Sequence, residues 1–358
     1  MIEGHGDDAW KYTSPIAADF SSNVLYGPLD RGLSDHLREC IALLTHYPEA
    51  GAQSLLRAAA PAYGVGAGMV LPTNGVTEAI YLIAQVFRQR TAVIYTPAFA
   101  EYEDACAAQG MNILFRDWEE LRSGDWGDGC PADGLVFLCN PNNPTGRSVS
   151  LDRLGDYPDT LFVVDESYID FSPVAKSVVG RGFPNVLVLR SLTKSCRIPG
   201  LRVGFVIGPA SLVARLQESK MPWSVNRLAI EAGWYIFSHP RDFVVPVGQL
   251  RTQTAAWQEE LRAALGVHAE GIGGSAAGAG AGDWKIWDTD THYFLIGTPE
   301  RWPADVLKKW LIEHYGLLVR DASNFKGLGR HVVRVACQSG EHNLLLTQAL
   351  AECASTGQ

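Results

Sequence analysis

The chain has 358 residues, of which 47% are hydrophobic, and this is ample material for a large buried core. A formal net charge of −9 argues against a nucleic-acid-binding protein, and the lack of any apolar run of about 18 residues argues against a transmembrane helix. Seven scattered cysteines without a CxxC pair, together with an acidic, polar N-terminus unlike a signal peptide, predict reduced thiols in a cytoplasmic protein.

The N-terminal part of the chain is predicted to hold an irregular segment followed by two helices. Residues 1–40 show no sustained periodicity. The segment 54–65 is typical of a helix that stops near Gly64, and the segment 73–90 begins with turn residues and continues as an amphipathic helix, with Ile80 on its apolar face.

Short apolar runs of strand length dominate the middle of the chain. They occupy residues 91–97, 134–141, 160–167, 185–191 and 203–208. Because these runs show little alternation, they are typical of strands buried on both faces of a mainly parallel sheet. Thr96, Asn140, Asp165 and Ser191 stand at their C-terminal ends, which line the ligand crevice in an open α/β sheet.

A second, smaller unit is predicted towards the C-terminus. A long helical stretch around 224–262 leads into it, and three runs then predict a small sheet: 292–299, 316–323 and 331–338. The Gly/Ala-rich segment 271–282 is predicted to be a flexible loop, because it lacks side chains that could pack.

The predicted fold class is therefore α/β, with a large domain whose mainly parallel sheet lies between helices and a small C-terminal α+β domain. The large domain is predicted over 41–245 and the small domain over 246–358. Residues 1–40 are expected to form an N-terminal segment associated with the small domain and the active site.

The segment "SLTKSCRIPGLRVGF" (191–205) sets Lys194 in a hydroxyl-rich turn, with Ser191, Thr193 and Arg202 nearby as phosphate-binding groups. The segment "NGVTEA" (74–79) opens a helix whose N–H groups, with the Thr77 hydroxyl, form a second phosphate-binding element. Two such elements beside a lysine amine favour pyridoxal phosphate, the cofactor that forms Schiff bases with lysine. No metal site is predicted, because the nine histidines show no metal-ligand spacing.

Pyridoxal phosphate needs three further groups, and the sequence offers candidates for each. Asp165 could pair with the pyridine nitrogen, Tyr168 and Asn143 could hold the phenolic oxygen, and Phe99 could cover the ring. Each residue also has an ordinary structural explanation, as a strand-end cap, a turn residue or a core aromatic.

Three segments resemble the signatures of the class I/II aminotransferases, which are fold-type I pyridoxal-phosphate enzymes. They are "NPNNPTG" (140–146), "DESYIDF" (165–171) and "SLTKSCRIPGLRVGF" (191–205), and the resemblance extends over roughly 19–350. It implies that the large domain binds the cofactor, that Lys194 carries it and shuttles protons, and that Asp165, Tyr168, Asn143 and Phe99 take the roles given above.

The resemblance also implies a phosphate site and a homodimer with shared active sites. Its cofactor-phosphate residues would be Gly75, Val76, Thr77, Ser191, Thr193 and Arg202. Tyr47 in "HYPEA" resembles a tyrosine that reaches the cofactor phosphate of the partner subunit. No nucleic-acid or membrane partner is expected.

Within the family, the sequence resembles the threonine-phosphate decarboxylases of cobalamin biosynthesis first and the histidinol-phosphate aminotransferases next. The main signs are "GHGD" (4–7) and "KMPWSVNRLA" (220–229). The expected reaction is decarboxylation of L-threonine O-3-phosphate to 1-aminopropan-2-yl phosphate. The alternative is an aminotransferase for histidinol phosphate or a similar amino acid with 2-oxoglutarate, and Tyr168 is the residue expected there. A non-catalytic protein on this fold is disfavoured by the intact Lys194 and Asp165.

Both candidate substrates carry a phosphate, so a second anion site is expected. Arg334 in "VVRVA" resembles the carboxylate-binding arginine of the family. Arg320, Asn23 and His5 are candidates for binding the phosphate or the carboxylate.

Overall fold

The structure is a computed structural model that describes residues 6–124, 126, 130–267 and 283–355. The Gly/Ala-rich segment 271–282 and His5 lie outside these residues, so the predictions made for them stay predictions. No helix within the described ranges combines the length and the apolar character that crossing a bilayer would need.

The helices of the described chain are α1 (Arg31–Cys40), α2 (Gln53–Ala62), α3 (Gly75–Val86), α4 (Glu101–Ala108), α5 (Trp118–Ser123), α6 (Ala210–Ser219), α7 (Arg227–Ser238), α8 (Val247–Leu265), α9 (Ala304–Tyr315) and α10 (Gly340–Ser355). Two expectations about helices were wrong. The segment expected to be irregular over 1–40 ends in α1, whose N-cap Asp30 accepts a hydrogen bond from the Leu33 amide. The long stretch 224–262 is two helices, because Pro240 and Pro246 lie between α7 and α8 and cannot donate helical hydrogen bonds.

The strands are β1 (Ala18–Asp19), β2 (Val70–Thr73), β3 (Thr91–Thr96), β4 (Ile113–Asp117), β5 (Gly134–Cys139), β6 (Leu161–Asp165), β7 (Val186–Ser191), β8 (Gly204–Ile207), β9 (Lys285–Ile286), β10 (Tyr293–Gly297), β11 (Leu317–Leu318), β12 (Arg320–Asp321) and β13 (Val332–Ala336). The main sheet has the order β2-β8-β7-β6-β5-β3-β4. Its central pairings are parallel, and β8 runs antiparallel to both of its neighbours, so the predicted mainly parallel sheet is confirmed.

The strands β2 and β4, which form the two edges of this sheet, were not predicted from the sequence. The first contains Pro72, and the second carries charged Arg116 and Asp117 and is partly exposed. Edge strands tolerate proline and charge because one side of their backbone has no neighbouring strand.

Helices cover both faces of the main sheet, as the lack of alternation predicted. Val163 of β6 faces the cluster that contains Ile80 of α3, whereas its neighbours Phe162 and Val164 face the cluster that contains Leu55 of α2. The sheet is therefore buried on both sides, which leaves the ends of its strands as the natural place for polar chemistry.

The C-terminal sheet is antiparallel, with the order β12-β13-β10-β9. The expected single strand 316–323 is split at Val319: β11 pairs in parallel with β1, while β12 pairs with β13. The N-terminal strand therefore joins the C-terminal part of the chain, and Phe20 shares a core cluster with Trp257 and Phe294. The exact domain boundaries stay a prediction.

Candidate active site

Polar side chains converge where the parallel strands of the main sheet end. Asp165 and Ser191 are the last residues of the neighbouring strands β6 and β7. Lys194 follows in the next turn, and its backbone carbonyl is held by the amide of Leu25 at 3.0 Å. The signature turn therefore lies at the crevice expected of an open α/β sheet.

A cavity of about 120 Å³ opens at this position. Its lining residues are Val76, Thr77, Phe99, Cys139, Asn143, Asp165, Ser167, Tyr168, Ser191, Thr193, Lys194 and Arg202. The structure thus brings together all the predicted cofactor-binding residues except Gly75 and Tyr47. We call it the cofactor cavity.

Lys194 lies among positive charges in a poorly solvated position. Burial is the main reason that its pKa falls from the usual value to about 8, and the guanidinium groups of Arg334 and Arg202 lower it further. A substantial fraction of such an amine is neutral near neutral pH, which is the form that attacks a carbonyl carbon.

The Asp165 carboxylate is buried, and each of its oxygens accepts one hydrogen bond. Oδ1 accepts from the Ser167 amide at 2.9 Å, and Oδ2 accepts from the Tyr102 hydroxyl at 2.7 Å. Burial raises the pKa of this carboxyl, while the hydrogen bonds from Ser167 and Tyr102 oppose the rise by stabilising the anion. Because it is buried away from water, such a carboxylate is well placed to pair with a cationic nitrogen.

Tyr102 was missed by the sequence reasoning. It lies in the first turn of α4, three residues after Phe99, which precedes the helix, and the two rings pack edge to face at 5.9 Å. The only sign of its role in the sequence was its position three residues after Phe99, the aromatic expected to cover the ring. Cys139 and Ser167, which also line the cofactor cavity, were likewise missed.

The groups at one end of the cofactor cavity are of the kind that bind a phosphate. The Ser191 and Thr193 hydroxyls lie 2.7 Å apart, and Val76 and Thr77 form the N-terminal turn of α3. Gly75 has a φ of +74°, and a Cβ built there would stand only 2.7 Å from Nη2 of Arg202. A glycine is thus required for this arginine to lie against the start of α3.

Tyr168 and Asn143 form the wall between this cavity and a second one. Burial raises the pKa of Tyr168 to about 12, against the opposing effect of Arg334, so its hydroxyl remains a proton donor. The Asn143 side-chain oxygen accepts from Nη1 of Arg334 at 2.5 Å. These contacts fit the predicted roles at the phenolic oxygen, which remain predictions.

The second cavity, of about 190 Å³, shares Phe99, Asn143, Tyr168 and Lys194 with the first. Its other lining residues are Gly6, Asp7, Ser21, Ser22, Asn23, Ala100, Pro199, Arg320, Asn324, Phe325 and Arg334. We call it the substrate cavity, because it meets the cofactor cavity at the reactive amine.

Two buried arginines face this cavity from paired strands. Arg320 of β12 and Arg334 of β13 are direct partners in the antiparallel register, so their side chains leave the same face of the sheet. Burial lowers the pKa of both, that of Arg320 to about 9, and the charge of Arg334 adds to the lowering of the Arg320 pKa. Like charges placed opposite one another are unfavourable unless an anion lies between or beside them.

Three of the four predicted substrate residues line the substrate cavity. Arg334 donates to the Ser21 carbonyl at 2.6 Å, and Arg320 donates to the Asn324 side chain at 2.8 Å. The side-chain amide of Asn23 is buried and has no hydrogen-bond partner among the described residues. An unpaired buried amide beside two arginines is a further sign of a polar ligand. The fourth, His5, lies outside the described residues.

Tyr47 lies elsewhere, on the surface. Its side chain is 84% exposed, and its ring packs against Trp223. This placement is compatible with the predicted role towards a partner subunit.

Outside the two cavities, one group of described side chains brings potential metal-ligating atoms close together. These atoms belong to His36, Cys40 and Glu231 and lie within 4.8 Å of one another. Arg227 lies 3.3 Å from the same carboxylate, and its positive charge opposes a cation there. The expectation of no metal site stays a prediction.

Comparison with known proteins agrees with this geometry. Residues 16–350 match the family described as Aminotransferase class I and II. Threonine-phosphate decarboxylase of Salmonella typhimurium is 33% identical over 352 residues, which cover 93% of this chain and 90% of that protein. Histidinol-phosphate aminotransferase of Desulfitobacterium hafniense is 27% identical over 356 residues, with 94% and 91% covered.

Solved structures give the same result. L-threonine-O-3-phosphate decarboxylase from Porphyromonas gingivalis superposes with a TM-score of 0.82 at 33% identity, covering 93% of this chain and 98% of that chain. Histidinol-phosphate aminotransferase from Sinorhizobium meliloti, in complex with pyridoxal 5'-phosphate, shares the fold with a TM-score of 0.79 at 16% identity, covering 97% and 94%. The expected fold class is confirmed, and so is the order of the two subgroup resemblances.

Proposed function

Because this chain belongs to the class I and II aminotransferase family, a family of pyridoxal-phosphate-dependent enzymes, we propose that it decarboxylates L-threonine O-3-phosphate to 1-aminopropan-2-yl phosphate. The observation that carries this proposal is the pair of opposed, buried arginines, Arg320 and Arg334, in a cavity that meets Lys194. A substrate with both a carboxylate and a phosphate would neutralise both arginines. The similarity to a threonine-phosphate decarboxylase over nine-tenths of both chains supports the same choice. The product would serve cobalamin biosynthesis.

The residues of the cofactor cavity fit pyridoxal 5'-phosphate. Lys194 would bind the aldehyde carbon covalently, and Asp165 would face the ring nitrogen. Arg202, which lies close against Gly75, would bind the phosphate. When bound, the cofactor supplies an electron-withdrawing ring that accepts the electron pair released at the substrate Cα.

The side chains of the protein would hold the cofactor ring, bind the substrate and supply the proton. Phe99 would cover one face of the ring, and Tyr168 and Asn143 would hold its phenolic oxygen. As CO₂ leaves the substrate Cα, Lys194 in its ammonium form would donate the proton that takes its place, and the neutral amine would remain. Arg334, fixed by Asn143 and Ser21, would bind the carboxylate, while Arg320 and Asn23 would bind the phosphate. Orientation of the bond to be broken is then set by where these two anions are held.

Transamination is the second candidate, and Tyr168 is the observation that favours it. The family resemblance associates a tyrosine at this position with the aminotransferases, and a histidinol-phosphate aminotransferase is 27% identical to the chain. Such an enzyme would act on histidinol phosphate or a similar amino acid with 2-oxoglutarate.

One experiment separates the two reactions. Purified holoenzyme is incubated with O-phosphothreonine without any keto acid, and in parallel with histidinol phosphate and 2-oxoglutarate. We expect release of CO₂ in the first mixture, no glutamate in the second, and no CO₂ release by Lys194→Ala. Glutamate formation with no CO₂ release would replace the decarboxylase by the aminotransferase.

A homodimer belongs to the same proposal. Several large apolar side chains are exposed near the exposed Tyr47: Ile41, Leu44, Met221 and Trp223. A second copy covering this surface would bring Tyr47 towards the partner's cofactor phosphate. Light scattering after size exclusion should give about twice the chain mass of 38.9 kDa, and Tyr47→Ala should weaken cofactor binding.

A further inference from the structure

An ion pair outside both cavities connects the N-terminal segment to α9. Nζ of Lys308 donates to both carboxylate oxygens of Asp8, each at 2.8 Å, and both side chains are only 9% exposed. Lys308 also lies over the ring of Tyr12 at 5.4 Å, and the exposed Lys11 is 3.8 Å from the same carboxylate. Buried charges of this kind are costly unless paired, so the contact holds both elements firmly in place.

The residues just before Asp8 form part of the substrate cavity. Gly6 and Asp7 line it, and we call residues 6–8 the N-terminal strap. The Asp7 amide donates to the Ser21 hydroxyl at 2.8 Å. Gly6 lies so close to the same residue that an added Cβ would stand 2.5 Å from the Ser21 carbonyl oxygen.

The strap therefore rests on the residue that fixes the substrate arginine. The Ser21 carbonyl accepts the 2.6 Å hydrogen bond from Nη2 of Arg334, and a Cβ on Gly6 would be 3.6 Å from that nitrogen. A continuous series of contacts runs from Lys308 through Asp8 and the strap to Ser21 and Arg334. Lys308 itself does not line either cavity.

We propose that Lys308 is a positioning residue for the substrate: through Asp8 it holds the N-terminal strap over Ser21 and Arg334 and so completes one wall of the substrate cavity. Its effect on substrate binding rests on the proposed function, whereas its effect on the strap does not. Loss of the ion pair frees the strap, so substrate binding weakens while the groups around Lys194 stay in place.

Kinetics test the first part of the proposal. In Lys308→Met holoenzyme we expect KM for O-phosphothreonine to rise by about tenfold or more, with kcat changed by less than about threefold, because only binding groups are displaced. Lys308→Arg keeps the charge and should restore KM to near its original value. Asp8→Asn should reproduce the effect of Lys308→Met from the other side of the pair, and serves in its place should that variant fold poorly.

Lys309→Met is the matched control. Lys309 is the next residue of α9, is 73% exposed, and lies 3.8 Å from Glu313 on its own helix. The same chemical change there should leave KM and kcat unaltered. Equal KM values for Lys308→Met, Asp8→Asn and Lys309→Met would overturn the proposal.

Proteolysis tests the strap without any turnover. Trypsin can cleave after Lys11, which follows the strap and is 44% exposed. Cleavage there, followed by intact mass, should be faster in Lys308→Met than in Lys309→Met, and O-phosphothreonine should slow it in the unaltered protein. Faster cleavage without turnover of this substrate would retain the strap and reject only the proposed reaction. Identical cleavage rates in the two variants would reject the strap itself.

Discussion

The hydroxyl of Tyr102 donates a hydrogen bond of 2.7 Å to Oδ2 of Asp165, and both side chains are buried. The tyrosine is itself anchored, because its ring stacks on Phe137 with centroids 5.2 Å apart. The hydrogen bond fixes the orientation of the carboxylate and favours its ionised form. It therefore prepares Asp165 for a cationic partner before any ligand arrives.

Replacing Tyr102 should consequently weaken cofactor binding. In Tyr102→Phe the packing remains but Asp165 loses a charge-assisted hydrogen bond, worth about 1.5–3 kcal/mol. We expect the dissociation constant for pyridoxal phosphate, from absorbance titration of the apoenzyme, to rise about tenfold or more. Tyr95→Phe is the control, since Tyr95 is also a buried tyrosine but lines neither cavity. Equal dissociation constants for the two variants would show that Tyr102 only fills space.

The lowered pKa of Lys194 predicts how the apoenzyme takes up its cofactor. Only the neutral amine attacks the aldehyde, so the rate of reconstitution should rise with pH and level off above about 8, the pKa of Lys194. An ordinary lysine would still gain reactivity beyond pH 10. Absorbance at fixed cofactor concentration from pH 6.5 to 9.5 measures the profile. In Arg334→Gln, which removes a nearby positive charge, the midpoint should move upward; a profile that keeps climbing in the unaltered protein would contradict the prediction.

Replacing Gly75 by alanine should weaken cofactor binding, whereas the same change at another glycine of similar conformation should not. In Gly75→Ala the new methyl group would collide with Arg202, so the guanidinium must leave the phosphate end of the cavity. Gly64 has a similar φ of +67°, but no atom lies within 4 Å of an added Cβ. Both alanine variants should lose about 1 kcal/mol of stability from backbone strain. Only Gly75→Ala should also bind the cofactor more weakly, by fluorescence titration; equal affinity in both would dismiss the steric argument.

His292 should make stability fall in mild acid. Its ring lies 4.1 Å from that of Phe171, and burial lowers its pKa to about 3 against the opposing effect of a hydrogen bond with the Asn23 backbone. The unfolded chain binds this proton near pH 6.5, so the stabilising contribution is present above pH 6.5 and declines as the pH falls towards 3. The slope should reach about 1.4 kcal/mol per pH unit.

His292→Phe removes this titration, so the melting temperature of the apoenzyme should fall less steeply between pH 6.5 and 5 than in the unaltered protein. Differential scanning calorimetry at four pH values within that interval checks the slope. Parallel curves for both proteins would place the acid sensitivity in other groups.

The sequence was most informative where function restricts the chain to local motifs. Lys194, Asp165 and Arg202 fall within short segments of restricted composition, so their types and spacing already indicated a phosphate and an amine. The buried strands were equally clear because their apolar runs have no polar alternation. The edge strands β2 and β4 were missed since a proline and charged residues are tolerated where one side of the backbone is free.

Tertiary relationships were the part that the sequence could not provide. Nothing in the local pattern connects Tyr102 with Asp165, which is 63 positions away, or Asp8 with Lys308, which is 300 positions away. The split of 316–323 was hidden for the same reason: β11 and β12 lie in one segment of strand length, but their partners belong to different sheets. Long-range pairs of this kind depend on the whole fold rather than on neighbouring residues.

The parallel pairing of β1 with β11 has a consequence for biosynthesis. The strands around the cofactor cavity are all synthesised by residue 207, whereas Ala18 cannot meet its partner until Leu317 has left the ribosome. The nascent chain can therefore assemble its cofactor cavity well before the start of the polypeptide settles into position. The wall of the substrate cavity that follows β1 is therefore completed only after β11 has been synthesised.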